Sequence, residues 1–188
     1  MTSKWNKIGA LRCGGAVLSG LMLAASFPGW SQSTLIFTAL VPLLLAVQSL
    51  SARQAAALSW LSGVVFYGIS LSWFWQMTNT VDEWLFRLGT GGALLFIVSY
   101  CSLYFIPFGV AAAWCGRIWC DGSFLKNMRI MIFMTVLWTG LEYVRGTLFT
   151  GFGWNALGVS QYANPATIQV AEWGGIAVIS AVIVWMNM

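Results

Sequence analysis

Charged residues vanish from this chain between Arg12 and Arg53, and the uncharged stretch is divided by Ser26-Phe27-Pro28-Gly29-Trp30, a turn signature. The 40 residues from 13 to 52 are about twice the roughly 20 apolar residues that carry one helix across a bilayer. The pattern predicts a helical hairpin in a membrane, and the same grammar repeats. Apolar runs over 13–26, 34–50, 54–77, 89–114, 130–149 and 166–186 predict about six transmembrane helices, with polar turns between them. Pro42 falls inside the second and Pro107 inside the fourth, where each frees a backbone carbonyl that a neighbouring helix must satisfy. In the first run Gly15 and Ser19, and Ala16 and Gly20, stand four apart, so small residues make a face that a neighbour can approach closely.

Composition agrees with this pattern. Of 188 residues 59% are hydrophobic and 7% charged, against roughly 25% charged in soluble domains. The fold class expected is an all-α integral membrane protein, one domain over residues 1–188. Seven of the nine basic residues, Lys4, Lys7, Arg12, Arg53, Arg117, Lys126 and Arg129, fall at the N-terminus or in alternate turns on one side. The excess of Lys and Arg marks the cytoplasmic side, so the N-terminus is expected there, with six crossings returning the C-terminus to it. The 78–88 loop and the 150–165 segment then face outward. The basic residues are scattered rather than clustered, which argues against nucleic acid as a partner. Lys4, Lys7 and Arg12 before an apolar run imitate a signal peptide, but the second hydrophobic run that follows favours an uncleaved first helix. Arg12 is also the wrong neighbour for a lipidated Cys13.

Candidate chemistry is sparse. The chain has no His, which removes the commonest general base and metal ligand. Cys13, Cys101, Cys115 and Cys120 lack a CxxC spacing and read as small apolar thiols. No metal site, cofactor or catalytic constellation is expected. Asn79, Asp82 and Glu83 read as a solvated loop. Glu142 and Arg145, three apart near the outer end of the fifth helix, are the most informative pair. Ionisable residues in a span mark a functional site by default; the competing reading is a self-satisfied ion pair that orients the helix. Glu172 is a further candidate partner for Arg145. After this pair, Thr150-Gly151-Phe152-Gly153-Trp154-Asn155 and Gly158-Val159-Ser160-Gln161 make a poor helix. That segment is either a lipid-contacting arm or re-entrant loop, or a plain connection with an aromatic anchor.

The string Glu142-x-x-Arg145-Gly146, then Thr150-Gly151-Phe152-x-Trp154, then Leu157-Gly158-x-Ser160-Gln161 resembles the apolipoprotein N-acyltransferase family. Ser26-Phe27-Pro28, Val41-Pro42-Leu43-Leu44 and Gly68 through Trp73 follow the family pattern in the same order. The resemblance implies a bacterial inner-membrane protein. It implies acyl transfer from a phospholipid to the α-amine of a diacylated lipoprotein's N-terminal Cys, through a thioester. In that family a Glu-Lys-Cys triad on a nitrilase-like domain does this chemistry. No residue of this chain matches that triad, so no catalytic residue is carried over and these 188 residues alone are expected to be inactive. Glu142, Arg145, Gly151, Phe152, Trp154 and Gln161 match motif positions and are assigned to the lipid cavity and its arm. Gly153 stands where the family commonly has Pro, so a looser arm is expected. The implied partners are the phospholipid donor, the lipoprotein, the membrane and a candidate separate nitrilase-like chain. The rival readings are a non-catalytic membrane scaffold or lipid-binding remnant and, less well supported by the polar residues at the helix ends, a small transporter.

Overall fold

The computed structural model describes residues 2–76, 84–116, 123–149 and 151–188, with side chains from residue 9 onward. Asn79, Asp82, Glu83, Arg117, Cys120, Asp121 and Thr150 lie outside the described residues. Among the described residues every regular element is helical. In order they are α1 (Thr2–Ala25), a 3-10 turn (Ser33–Phe37), α2 (Val41–Val47), α3 (Ala52–Ser70), α4 (Trp73–Gln76), α5 (Trp84–Leu103), α6 (Phe105–Gly116), α7 (Phe124–Thr147), a 3-10 turn (Leu157–Gln161), α8 (Pro165–Ile168), a 3-10 turn (Gln169–Trp173) and α9 (Ile176–Asn187).

α3 is the centre of the bundle, packed by α1, α2, α5 and α6. Its buried positions are Ala55, Leu58, Ser59, Ser62, Gly63, Phe66 and Tyr67, an unbroken three-four spacing that puts one stripe against its neighbours. Ser51 starts it with a capping box to Gln54. The small face of α1 is used on both flanks. A Cβ at Gly15 would lie 3.0 Å from the Pro42 carbonyl oxygen on α2, and one at Gly20 would lie 2.6 Å from the Ser62 carbonyl oxygen and 2.8 Å from Val65 Cβ on α3. Between them Ser19 Oγ donates to the Ala39 carbonyl at 2.6 Å.

Several expected continuous helices are interrupted, each for a local reason. The second does not run from 34 to 50 with a kink at Pro42. It is a 3-10 turn followed by a helix that begins at Val41, with Pro42 in its first turn, where the missing N–H costs nothing. The orphan backbone groups at that junction are met by Asn187 of α9. Its Oδ1 accepts from Leu40 N at 2.9 Å and its Nδ2 donates to Ile36 O at 2.9 Å. The fourth breaks at Tyr104, because Pro107 cannot donate to the carbonyl of Leu103, and Tyr104 N bonds back only three residues, to Cys101 O. The sixth is bent by 116° between Pro165–Trp173 and Ile176–Asn187. The bend falls at Gly174-Gly175, where Gly175 takes φ +68°, a conformation suited to glycine.

Trp84–Gly116, 33 residues, is long and apolar enough to cross a membrane, and the bent pair passes the same test only if taken as one span. The outer surface is apolar to match. Leu95 and Phe96 are each 71% exposed, with Val136, Trp114 and Leu11 similarly bare. Faces like these suit hydrocarbon rather than water.

The two ends differ. Arg12 Nη1 donates to Ala46 O at 3.0 Å and Gln48 O at 2.9 Å, so the basic start of α1 meets the end of α2, and Gly116 packs beside Gln48. At the opposite end lie Phe27, Tyr67, Trp73, Arg145 and the chain after α7. The close approach at Gly20 gives a test. Gly20→Val is expected to destabilise the protein by about 1–3 kcal/mol through overpacking. Gly14→Ala, where nothing lies within 4 Å, is expected to be neutral or to stabilise by up to about 1 kcal/mol. Denaturation in detergent followed by circular dichroism reads both; equal effects contradict the packing described.

Candidate functional site

α7 buries Ile130, Met134, Trp138 and Arg145 along one stripe. Its last two turns supply two ionisable groups, Glu142 and Arg145. Arg145 is 2% exposed. Its Nη1 donates to the carbonyl oxygens of Phe152 at 2.7 Å and Trp154 at 2.6 Å. Its guanidinium carbon sits 5.5 Å from the centroid of the Tyr67 ring, a cation–π contact from α3. Glu142 Oε1 accepts from Trp138 Nε1 at 2.9 Å and from the backbone N–H of Leu157 at 2.8 Å.

These contacts speak against a self-satisfied ion pair. Glu142 and Arg145 share a face but make no hydrogen bond to each other; apart from Trp138, their hydrogen-bond partners lie in the segment that follows. The carboxylate takes a backbone donor of that segment and the guanidinium takes two of its acceptors. Arg145 does not reach Glu172, which is exposed. The carbonyls on both sides of Gly153 are held by one nitrogen, Arg145 Nη1. Hydrogen bonds from a charged donor contribute about 1.5–3 kcal/mol each, so the two together offset much of the cost of burying the charge.

The turn from α7 into the arm is built on backbone geometry. Leu148 N bonds Val144 O at 2.8 Å, Gly151 N bonds Leu148 O at 2.9 Å, and Phe152 N bonds Arg145 O at 2.8 Å. Gly151 has φ +75° and a Cβ there would run into the Gly146 carbonyl, so this position needs glycine on both counts. Phe149 and Asn155 take φ +58° and +59°. Phe149 is thrown outward, 86% exposed. Further along, Gly158 N bonds Ser180 Oγ of α9 at 2.9 Å. Gln161 is fully buried and donates through Nε2 to Ser33 O at 2.9 Å.

The six residues singled out by the sequence therefore divide. Glu142, Arg145 and Gln161 lie inside the network that fixes the arm. Gly151 and Phe152 line an apolar hollow of about 320 Å³ between the arm and α5, with Phe96, Ile97, Tyr100, Leu148 and Phe149. Trp154 is 50% exposed and lies on Trp73, ring centroids 5.3 Å apart. The hollow is at the small end of the about 300–1,000 Å³ typical of ligand sites. Its polar rim is Tyr100 Oη, 2.7 Å from Tyr104 Oη. Tyr100, Phe149 and Tyr67 were not picked out from sequence, whereas Trp73 closes the family-like stretch that begins at Gly68. Trp138, four residues before Glu142, carried a usable signal in that spacing. Among the described residues no group of three or more Cys, Asp or Glu gathers as a metal site, and Cys101 and Cys115 are buried in the core.

The family described as apolipoprotein N-acyltransferase N-terminal domain matches residues 19–188. The chain belongs to this family. Among its curated relatives, the apolipoprotein N-acyltransferase of Geobacter metallireducens is 34% identical over 175 residues, 92% of this chain and 32% of that protein. The enzyme of the same name from Gloeobacter violaceus is 30% identical over 176 residues, 90% of this chain and 31% of that protein. That from Thermotoga maritima is 26% identical over 179 residues, 92% and 34% respectively. The chain thus spans about a third of the length of the curated relatives it matches.

The network predicts a sharp asymmetry. Arg145→Ala leaves two carbonyls without a donor and is expected to speed amide exchange at Phe152 and Leu157 by on the order of tenfold or more. Glu142→Gln keeps an oxygen acceptor and is expected to preserve most of the Leu157 protection, whereas Glu142→Leu loses it. Hydrogen-exchange mass spectrometry of the protein in bilayer discs reads all three. Unchanged exchange in Arg145→Ala contradicts the clamp.

Proposed function

We propose that this chain is the N-terminal membrane domain, residues 1–188, of an apolipoprotein N-acyltransferase in the bacterial inner membrane. Its task is to bind a phospholipid acyl donor and a diacylated lipoprotein and to present them at the outer surface. The observation that carries the reading is the hollow between α5 and the arm. It is walled by apolar rings, open at the bundle surface, and framed by a backbone network at the end of the bundle away from Arg12. Aromatic side chains at that end, Trp73 and Trp154 above all, suit the headgroup level.

In this reading the chain crosses the membrane six times with its N-terminus in the cytoplasm, the second and sixth passes interrupted. Irregular backbone is tolerated at membrane depth where protein covers it. The coverage here includes the Asn187 contacts to Ile36 and Leu40 and the Ser180 contact to Gly158. Gly151 and Phe152 floor an acyl-chain site, Trp154 meets the headgroup, and Glu142, Arg145 and Gln161 act as positioning residues. The acyl transfer itself, from phospholipid through a thioester to the lipoprotein amine, belongs to a nitrilase-like Glu-Lys-Cys unit, on the same polypeptide or a separate one. These 188 residues alone bind lipid without transferring it.

The test is N-acylation of a reporter lipoprotein, read by mass spectrometry in bacteria depleted of their own acyltransferase. Acylation is expected when a nitrilase-like unit is supplied with this chain and not when the chain is expressed alone. Ile97→Trp, which fills the hollow, is expected to reduce it on the order of tenfold. Acyl transfer by the chain alone overturns the division of labour. No acylation in either case favours a scaffold or lipid-binding remnant.

A further inference from the structure

At the opposite end of the molecule a second groove runs between α1 and α2, about 670 Å³ against about 320 Å³ for the hollow beside the arm. Its origin is local. At Gly15 the helices close on each other, with the Pro42 carbonyl oxygen 3.0 Å from where a Cβ would stand, while Gly14 has nothing within 4 Å. The two glycines leave a floor without side chains. The walls are apolar and face outward, with Leu11 78%, Leu18 49% and Leu45 60% exposed. From Leu11 to Leu18 the groove follows α1 for about 10 Å, along the direction an acyl chain takes.

One end of this groove is cationic. Arg12 lines it, and its Nη1 is anchored on the Ala46 and Gln48 carbonyls, so the guanidinium is pinned beside the groove. Lys4 and Lys7 precede it on α1, and Arg53 follows in the next turn. Of the described acidic residues, Glu142 and Glu172, neither lines the groove.

We infer that the α1–α2 groove is a seat for one anionic phospholipid of the leaflet at the basic end, its acyl chain against Gly14 and Leu45 and its phosphate beside Arg12. This site is separate from the hollow at the arm and does not depend on acyl transfer. An uncharged partner helix would fill the groove but leave the fixed cation unanswered. An anionic lipid answers both the apolar walls and the charge.

Native mass spectrometry of the 188-residue protein released from bilayer discs tests it. Discs of phosphatidylglycerol and of phosphatidylcholine are compared. One retained lipid per chain is expected, with phosphatidylglycerol favoured about fivefold, the effect of one cation near the surface. Arg12→Gln is expected to abolish that preference and Arg12→Lys to keep it. Gly14→Leu, whose side chain enters the groove, is expected to remove retention of both lipids while circular dichroism stays helical. Equal retention of the two lipids by the unaltered protein overturns the inference. So does undiminished phosphatidylglycerol retention in Arg12→Gln and Gly14→Leu, or a lipid-free dimer as the main species.

Discussion

A buried guanidinium needs acceptors, and Arg145 finds two in the carbonyls of Phe152 and Trp154. Much of the end of the molecule that carries the arm depends on this. Among the described residues of the glycine-bearing stretch 148–161 none is in an α-helix, so several backbone groups there need partners from outside the segment. Arg145 and Glu142 supply three of those contacts from a rigid helix, and Ser180 supplies another from α9. Side-chain–backbone bonds thus do the work of regular secondary structure. A segment held this way keeps a fixed shape while leaving Phe149 and Trp154 exposed. That combination of fixed backbone and exposed rings makes a wall for the hollow against α5.

The bundle below explains why α7 can present such a pair. α3 packs its seven buried positions against α1, α5 and α6 through glycine and serine contacts close enough to exclude a Cβ. In hydrocarbon, where apolar burial gives little drive, this kind of approach is what holds helices together. Arg145 then sits over the Tyr67 ring at the end of the same α3 stripe. The arm is therefore registered to the centre of the bundle through one cation, and the two ends of the molecule take on different chemistry. One carries aromatic rings over an apolar hollow, the other a basic rim around a groove.

The all-helical class and the helix order were legible because charge is absent from long stretches and concentrated in the turns. The small face on α1 was legible because Gly15, Ser19, Ala16 and Gly20 repeat at helical spacing. The breaks were harder. Pro42 and Pro107 announce an interruption, but whether the helix kinks or restarts depends on a partner such as Asn187, 145 positions along the chain from Pro42. The bend at Gly174-Gly175 follows from a positive φ that two adjacent glycines permit without demanding. At the site, sequence located Glu142 and Arg145 but not what they hold. Their three-residue spacing suggests a pair, and only the fold shows that the following backbone takes both. Tyr100 and Phe149 look like ordinary membrane aromatics until the arm is folded back on α5.

The central claim is that the clamped arm and α5 enclose a site for an acyl chain. The most direct measurement is photolabelling in bilayer discs with a phospholipid carrying a diazirine near the end of one acyl chain, followed by peptide mapping. Labelling is expected to concentrate on Phe96, Tyr100, Phe149 and Phe152 and to disperse in Arg145→Ala. Labelling of those residues no greater than of the exposed Val136 and Trp173 would contradict it.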